Sequence, residues 1–322
     1  MEPEEPKVRP KIRVAYIAGA GFSGSTLLEQ ALSQINGCVS VGEPYRPLFE
    51  PYWPEMTCGC GERFRDCPFW NPVLADAYHG DQETTRERLR VLGEGMVAHS
   101  VKSAYKHSSP PHSLRSAFGE IGALIEPMYR AVQERTGAEV IVDASKSGLW
   151  GLGLLAAPGI ELDVVHLVRE PRGFALSNSR PHDFWPPGTQ TIPRGPIRSY
   201  VNWIVTNLEA EYLARRADRS ATLLYETFAC NPQATLASVV EMLDLDAKGA
   251  SPIHDGTLTV DRVAHTVGGN PSRPRLGTTK IEHDERWRTS GSLTLRLAAP
   301  LMTGPLWQHY KRRATRFAPA AR

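Results

Sequence analysis

The sequence predicts an α/β protein, an open parallel sheet flanked by helices with a P-loop-like phosphate turn behind its first strand. Three observations carry this. Short, nearly unbroken apolar runs alternate with amphipathic stretches, the pattern of strands buried on both faces. The first run, KIRVAYIA at 11–18, leads through a glycine-rich turn into an apolar helix, 17-IAGAGFSGSTLLEQAL-32. Much later, VVHLVREPRGFALSNSR at 164–180 repeats the order of strand, turn and helix.

Each element has its own signal. Thr26 to Ile35 places Leu27, Leu28, Ala31, Leu32 and Ile35 on one helical face. CVSVGE (38–43), AEVIVDAS (138–145), LDVVHLV (162–168) and ATLLYE (221–226) read as further strands. A helix over 113–135 ends at Gly137, a C-cap residue, with Pro127 expected to kink it. Another starts at Pro171, a third spans about 197–217, and a fourth starts at Asn231-Pro232, an N-cap followed by proline. Residues 11–316 are expected to form one domain behind a disordered tail of residues 1–10, with insertions at about 44–112 and 181–196. The first insertion holds the cysteines and a polar helical piece near 81–99; the second is rich in proline and glycine.

Composition excludes several classes. A net charge of +2 gives no global attraction to nucleic acid, so a polyanion site must be local. No window approaches a membrane span, and MEPEEPKVRPK has no apolar signal-peptide core, so a cytoplasmic location is expected. Five cysteines, three of them in 58-CGCGERFRDC-67, do not suit a disulfide-built secreted scaffold. Cys58, Cys60 and Cys67 offer three zinc ligands, with Cys38 or a histidine as a fourth, but the spacing matches no standard finger. Reduced or partly paired structural cysteines are the expectation, with no metal required for the chemistry.

The glycine turn admits three readings, all using backbone N–H groups at a helix N-terminus to hold an anion. Gly19, Gly21 and Gly24 spell G-x-G-x-x-G, the dinucleotide fingerprint, and Glu43 stands near the position of its ribose-binding acid. Gly19 to Gly24 also has Walker A spacing, but Ser25 replaces the lysine that ATP chemistry wants. The third reading is a 5′-phosphosulfate loop over Gly21, Phe22, Ser23, Gly24, Ser25 and Thr26.

The distant motif favours the third. Arg169 ends a strand and Ser177 follows eight residues later. An arginine there sits where open α/β sheets bind ligands and can grip a phosphate bidentately. The two motifs together resemble the 5′- and 3′-phosphate motifs of sulfotransferases that use 3′-phosphoadenosine 5′-phosphosulfate. Arg180 is the preferred third contact over Arg172. LLYETF (223–228) is similar to the family's Tyr-Glu strand end, which implies Tyr225 beside adenine. HTVGGNPSRPRLG (265–277) resembles the C-terminal loop of bacterial members, implying Arg273 and Arg275 over the 3′-phosphate. The CGCG…CPFW cluster is also similar to bacterial members.

The resemblance implies sulfonate transfer to a hydroxylated acceptor and is closer to the protein-tyrosine and carbohydrate branch than to the cytosolic one. Glu43 then takes the place of the base, which needs burial to raise its pKa from about 4.3. Ser147 stands near the place of the cytosolic branch's histidine, and His107 lies too far upstream to replace it. Phe22 stands where most members carry Lys or Arg, and Lys146 in DASKSG is the expected substitute cation. Phe69, Trp70, Phe184 and Trp185 are candidate walls of an acceptor cleft. A nucleotide kinase or NTPase, or a non-catalytic nucleotide-binding protein, are the competing readings.

Overall fold

The computed structural model describes residues 9–49, 55–97, 112–184, 189–246, 251–269 and 276–314. Its strands are β1 (Ile12–Ala18), β2 (Cys38–Gly42), β3 (Val140–Asp143), β4 (Ile160–Val168), β5 (Asp183–Phe184), β6 (Thr189–Gln190), β7 (Arg219–Leu224), β8 (Ile253–His254), β9 (Thr257–Val260) and β10 (Gly277–Lys280). Five of these form one parallel sheet in the order β2-β3-β1-β4-β7. β5 with β6, and β8 with β9 and β10, make small antiparallel sheets.

The apolar runs become strands because alternate residues serve opposite faces. Val14 and Tyr16 of β1 join one core cluster with Ile141, Leu162 and Val164. Ala15 and Ile17 join the other, with Val142, Val165 and Leu167. Neither face meets water, so the runs carry no polar alternation. Helices Gly148–Ala156 and His112–Thr136 cover the first face, and helices Ser25–Ser33 and Pro232–Met242 the second.

Several boundaries depart from the sequence reading. The strand expected at 221–226 ends at Leu224, and Tyr225 opens a short helix to Cys230. Asn231 precedes Pro232 as expected, but its side chain makes no capping hydrogen bond. The helix with Pro127 inside it runs His112–Thr136, and Gly137 follows at φ +65°. Helices Trp70–Tyr78 and Leu293–Ala314 were not expected. The first insertion packs onto the sheet: Met56, Cys58, Phe64, Cys67 and Trp70 are buried in the same cluster as Val14 and Tyr16.

All five strands run parallel, but the strand order switches sides at β1, whose neighbours β3 and β4 lead into opposite halves of the sheet. Such a switch point opens a crevice beyond the carboxyl ends of the strands. Gly19 closes the base of that crevice at φ +132°, where a Cβ would lie 2.3 Å from the Leu167 carbonyl oxygen. The contact is with backbone, which cannot step aside. Gly19→Ala is therefore expected to cost at least about 2 kcal/mol in urea unfolding. A loss below about 0.5 kcal/mol, the range of surface substitutions, would contradict this packing.

Candidate active site

Each strand of the main sheet delivers one site residue from its carboxyl end. The turn Gly19–Gly24 follows β1, Glu43 follows β2, Lys146 lies three residues past β3, Arg169 follows β4 and Tyr225 follows β7. The crevice thus gathers residues from the whole chain length.

The helix Ser25–Ser33 starts at Gly24, φ +83°, with no side chain capping its N-terminus. A Cβ on Gly24 would lie 2.7 Å from the Tyr225 ring, so glycine is needed for the turn to pass beneath that ring. Ser23 and Ser25 are buried within the turn, and Thr26 is half-buried. Phe22 adopts a left-handed φ of +58°, and its ring packs against His182 with centroids 4.4 Å apart and planes tilted by 32°. Its carbonyl accepts a hydrogen bond from Arg169 Nη1 at 2.5 Å. Arg169 therefore ties the turn to the second motif.

The rest of Arg169 is equally committed. Nη1 also donates to Ser177 Oγ at 3.3 Å, Nη2 pairs with Asp284 at 2.7 Å, and the guanidinium lies 4.7 Å over the Tyr225 ring. Nε is buried with no hydrogen-bond partner among the described residues, an orphaned donor beside an expected anion. Arg180 is half-buried and makes no ion pair among the described residues. Arg172 instead pairs with Glu170 and lies 3.8 Å from the Trp287 ring centre, facing a separate cavity of about 600 Å³.

Glu43 and Lys146 meet across 103 residues: Lys146 Nζ donates to Glu43 Oε1 at 2.6 Å. Lys146 reaches it from a left-handed backbone, φ +59°, a conformation that costs energy and clusters at functional sites. Its Nζ also donates to the Ala144 carbonyl at 2.5 Å. Arg46 donates to the other Glu43 oxygen. Glu43 is only 3% exposed, and its backbone N–H donates to the Val267 carbonyl at 2.7 Å.

The electrostatics correct one expectation. Burial alone pushes the Glu43 carboxyl up, but the Lys146 and Arg46 charges and hydrogen bonds outweigh it and hold the pKa at about 2. The sequence reading required a raised value and did not foresee Arg46, although the Glu43-x-x-Arg46 spacing is that of a helical charge pair. It also missed Glu209, whose carboxyl burial pushes up to about 7. Glu209 lies against the loop after Lys146, with Oε2 2.8 Å from where a Cβ on Gly148 would stand.

Other expected residues fall elsewhere. Arg273, Arg275, His107 and Trp185 lie outside the described residues, as does the side chain of Phe184. Trp70 is fully buried and donates to the His265 carbonyl at 2.6 Å, so it is a packing anchor rather than a cleft wall. Phe69 stacks on the His265 ring. Ser147 caps the helix Gly148–Ala156 by accepting from Trp150 N–H. Cys38 is not with the other cysteines; His265 is. Among the described residues, no helix is long and apolar enough to cross a membrane.

A profile described as the sulfotransferase family matches residues 15–249, a span that holds the turn, Glu43, Lys146, Arg169 and Tyr225. The chain belongs to the sulfotransferase family. Solved structures similar to it include a sulfotransferase domain from the curacin biosynthetic pathway, at 15% identity and TM-score 0.47, covering 93% of this chain and 98% of that one. A sulfotransferase from Alicyclobacillus acidocaldarius matches at 13% identity and TM-score 0.39, covering 95% and 100%. One from Mycobacterium avium matches at 12% identity and TM-score 0.41, covering 75% and 66%. Comparison with curated proteins found no match.

The depressed Glu43 pKa makes this sulfotransferase's stability depend on acid. An unfolded glutamate titrates at about 4.3, above the folded value. The ion pair therefore stabilises fully above the unfolded value, and that stability is lost as pH falls toward about 2. The stability difference between wild type and Glu43→Gln should shrink by on the order of 3 kcal/mol from about pH 5 to about pH 2. Chemical denaturation across that range measures it, and a pH-independent difference would contradict the assigned pairing.

Proposed function

We propose that this sulfotransferase moves a sulfonate group from 3′-phosphoadenosine 5′-phosphosulfate to a hydroxyl of a small-molecule or glycan acceptor, with Glu43 as general base. The observation that carries this reading is the Glu43–Lys146 pair, 2.6 Å apart at the carboxyl ends of adjacent strands. A base and a cation in contact are what sulfonate transfer to an alcohol asks of a protein.

The donor's parts find suitable partners. The uncapped helix N-terminus and the turn Gly21–Thr26 suit the 5′-phosphosulfate. Arg169, with its orphaned Nε, Ser177 and Arg180 suit the 3′-phosphate. Asp284 already holds Arg169 Nη2, so a phosphate there competes with that carboxylate. The Tyr225 ring, between Arg169 and Gly24, suits the adenine side.

In the transfer, the acceptor oxygen bonds to sulfur and its proton passes to Glu43. The bridging S–O bond breaks, and its electron pair stays on the 5′-phosphate. Lys146 serves both events. A shift of its ammonium from Glu43 toward the bridging oxygen neutralises the developing charge and simultaneously raises the basicity of the carboxylate. A cation delivered to that oxygen as the bond breaks contributes mainly to the transition state. Phe22, whose ring lies against His182, carries no charge to share that task.

Nucleotide binding tests the donor. Arg169→Ala should weaken 3′,5′-ADP by about 1.5–3 kcal/mol while leaving 5′-AMP nearly unchanged, measured by calorimetry. Equal losses would remove Arg169 from the 3′-phosphate, and ATP binding tighter than 3′,5′-ADP would favour a kinase.

Turnover tests the base. Glu43→Gln should lose roughly a hundred- to ten-thousand-fold in sulfonate transfer with unchanged 3′,5′-ADP affinity. Glu209→Gln is the rival: if it is the variant that loses turnover, the carboxyl near pKa 7 is the base.

Lys146→Ala should lower turnover at least as severely as Glu43→Gln, with little change in donor affinity. Phe22→Arg added to Lys146→Ala should recover part of the loss by restoring a cation beside the turn. Near-normal turnover in Lys146→Ala alone would contradict the proposed shift.

A further inference from the structure

The cysteine-rich insertion folds into a knuckle that faces a residue from near the end of the chain. Thr57 and Arg63 pair across it, Cys58 N–H donates to the Glu62 carbonyl at 2.8 Å, and Gly61 N–H donates to the Cys58 carbonyl at 2.9 Å. Gly59, between two cysteines, donates its N–H to the Thr266 carbonyl at 2.8 Å. A Cβ on Gly59 would stand 2.1 Å from the Ala264 carbonyl oxygen, so only glycine lets the two segments touch. His265 is thereby carried to the sulfur atoms.

The four side chains form a compact group. Cys67 Sγ lies 3.5 Å from Cys58 Sγ, 3.7 Å from Cys60 Sγ and 3.4 Å from His265 Nδ1, and Cys58 Sγ lies 3.8 Å from the same nitrogen. All four ligand atoms fall within 4.8 Å of one another. Zinc bonds of about 2.3 Å to sulfur and 2.0–2.1 Å to nitrogen make a tetrahedron with edges of about 3.5–3.8 Å. The four edges given above, 3.4–3.8 Å, are those of such a tetrahedron, and the two remaining separations, from Cys60 Sγ to Cys58 Sγ and to His265, lie within 4.8 Å. Disulfide bonding explains the arrangement less well. All five cysteines are free, and any single pairing would strand a third thiol and an imidazole in a largely buried site.

We propose that Cys58, Cys60, Cys67 and His265 bind one structural zinc ion. Three thiolates and an imidazole at tetrahedral spacing suit that ion, and four protein ligands leave no open position for a reacting group. The ion would fasten the insertion to the segment that supports the site. Two residues beyond His265, Val267 pairs with Gly42 and accepts the Glu43 N–H at 2.7 Å. Trp70 and Phe69, which follow Cys67, brace the His265 backbone and ring. This assignment does not depend on the donor, acceptor or base proposed above.

Metal analysis of the full chain, purified without chelator from zinc-supplemented culture, tests it. One zinc per chain is expected, and Cys60→Ser, at the least buried of the three thiols, should lose most of it. Cys230→Ser, outside the cluster, should retain it. Cobalt substitution of the wild-type chain should give thiolate-to-cobalt charge-transfer and strong tetrahedral ligand-field bands. Removing the metal should lower the melting temperature of wild type, with readdition restoring it. Wild-type protein that lacks stoichiometric zinc and gives no cobalt–thiolate spectrum would overturn the proposal. So would a Cys58–Cys67 or Cys60–Cys67 disulfide in the natively purified chain, or full zinc retention in Cys60→Ser and His265→Ala together.

Discussion

The buried contact between Glu43 and Lys146 is the constraint on which the site depends. A carboxylate 3% exposed is tolerable because two cations, Lys146 and Arg46, pair with its two oxygens. That requirement fixes much of the local geometry. It pulls Lys146 into a left-handed backbone, draws Arg46 back across its own short helix, and brings Gly268 so close that a Cβ there would lie 3.0 Å from the Glu43 Cβ. Because breaking one partner of a buried pair leaves an uncompensated charge, loss of either residue costs stability as well. In the proposed mechanism the ion pair is also what separates this site from a P-loop NTPase. The cation is supplied from the loop after β3, not from the phosphate turn.

The sheet was legible because its strands are buried on both faces, which writes each one as an apolar run. The glycine turn after β1 and the strand-end place of Arg169 were legible because each couples a strand end to a helix start within one short stretch. Elements whose logic is tertiary were not. The helix Gly148–Ala156 contains Gly148, Gly151 and Gly153, which ordinarily argue against a helix. Here Gly151 and Gly153 let it pack directly on Leu213, Tyr16 and Ile121. The helix Leu293–Ala314 carries Pro300 and Pro305, and its burial against Tyr200 and Ala175 outweighs them.

The same division holds within the site. Glu43 and Lys146 could be nominated from motif positions, but their contact spans 103 residues and no local pattern reports it. Consequently the direction of the Glu43 pKa could not be read either: burial and pairing act oppositely, and only the positions of Lys146 and Arg46 decide between them. His265 joins Cys67 across 198 residues, so the cysteine spacing alone resembled an incomplete ligand set. The first insertion, irregular in sequence, contributes Met56, Cys58, Phe64, Cys67 and Trp70 to the core and, through the segment at Ala264–Gly268, to the support of Glu43.

In the proposed mechanism one lysine serves the carboxylate and the departing phosphate in turn. A crystal structure of the chain with bound 3′,5′-ADP tests it most directly. The 5′-phosphate is expected on the N–H groups of Ser25 and Thr26, the 3′-phosphate on Arg169 and Ser177, and Lys146 Nζ turned from Glu43 toward the 5′-phosphate. A nucleotide bound in that orientation while Lys146 stays on Glu43, or phosphates seated away from Arg169, would contradict it.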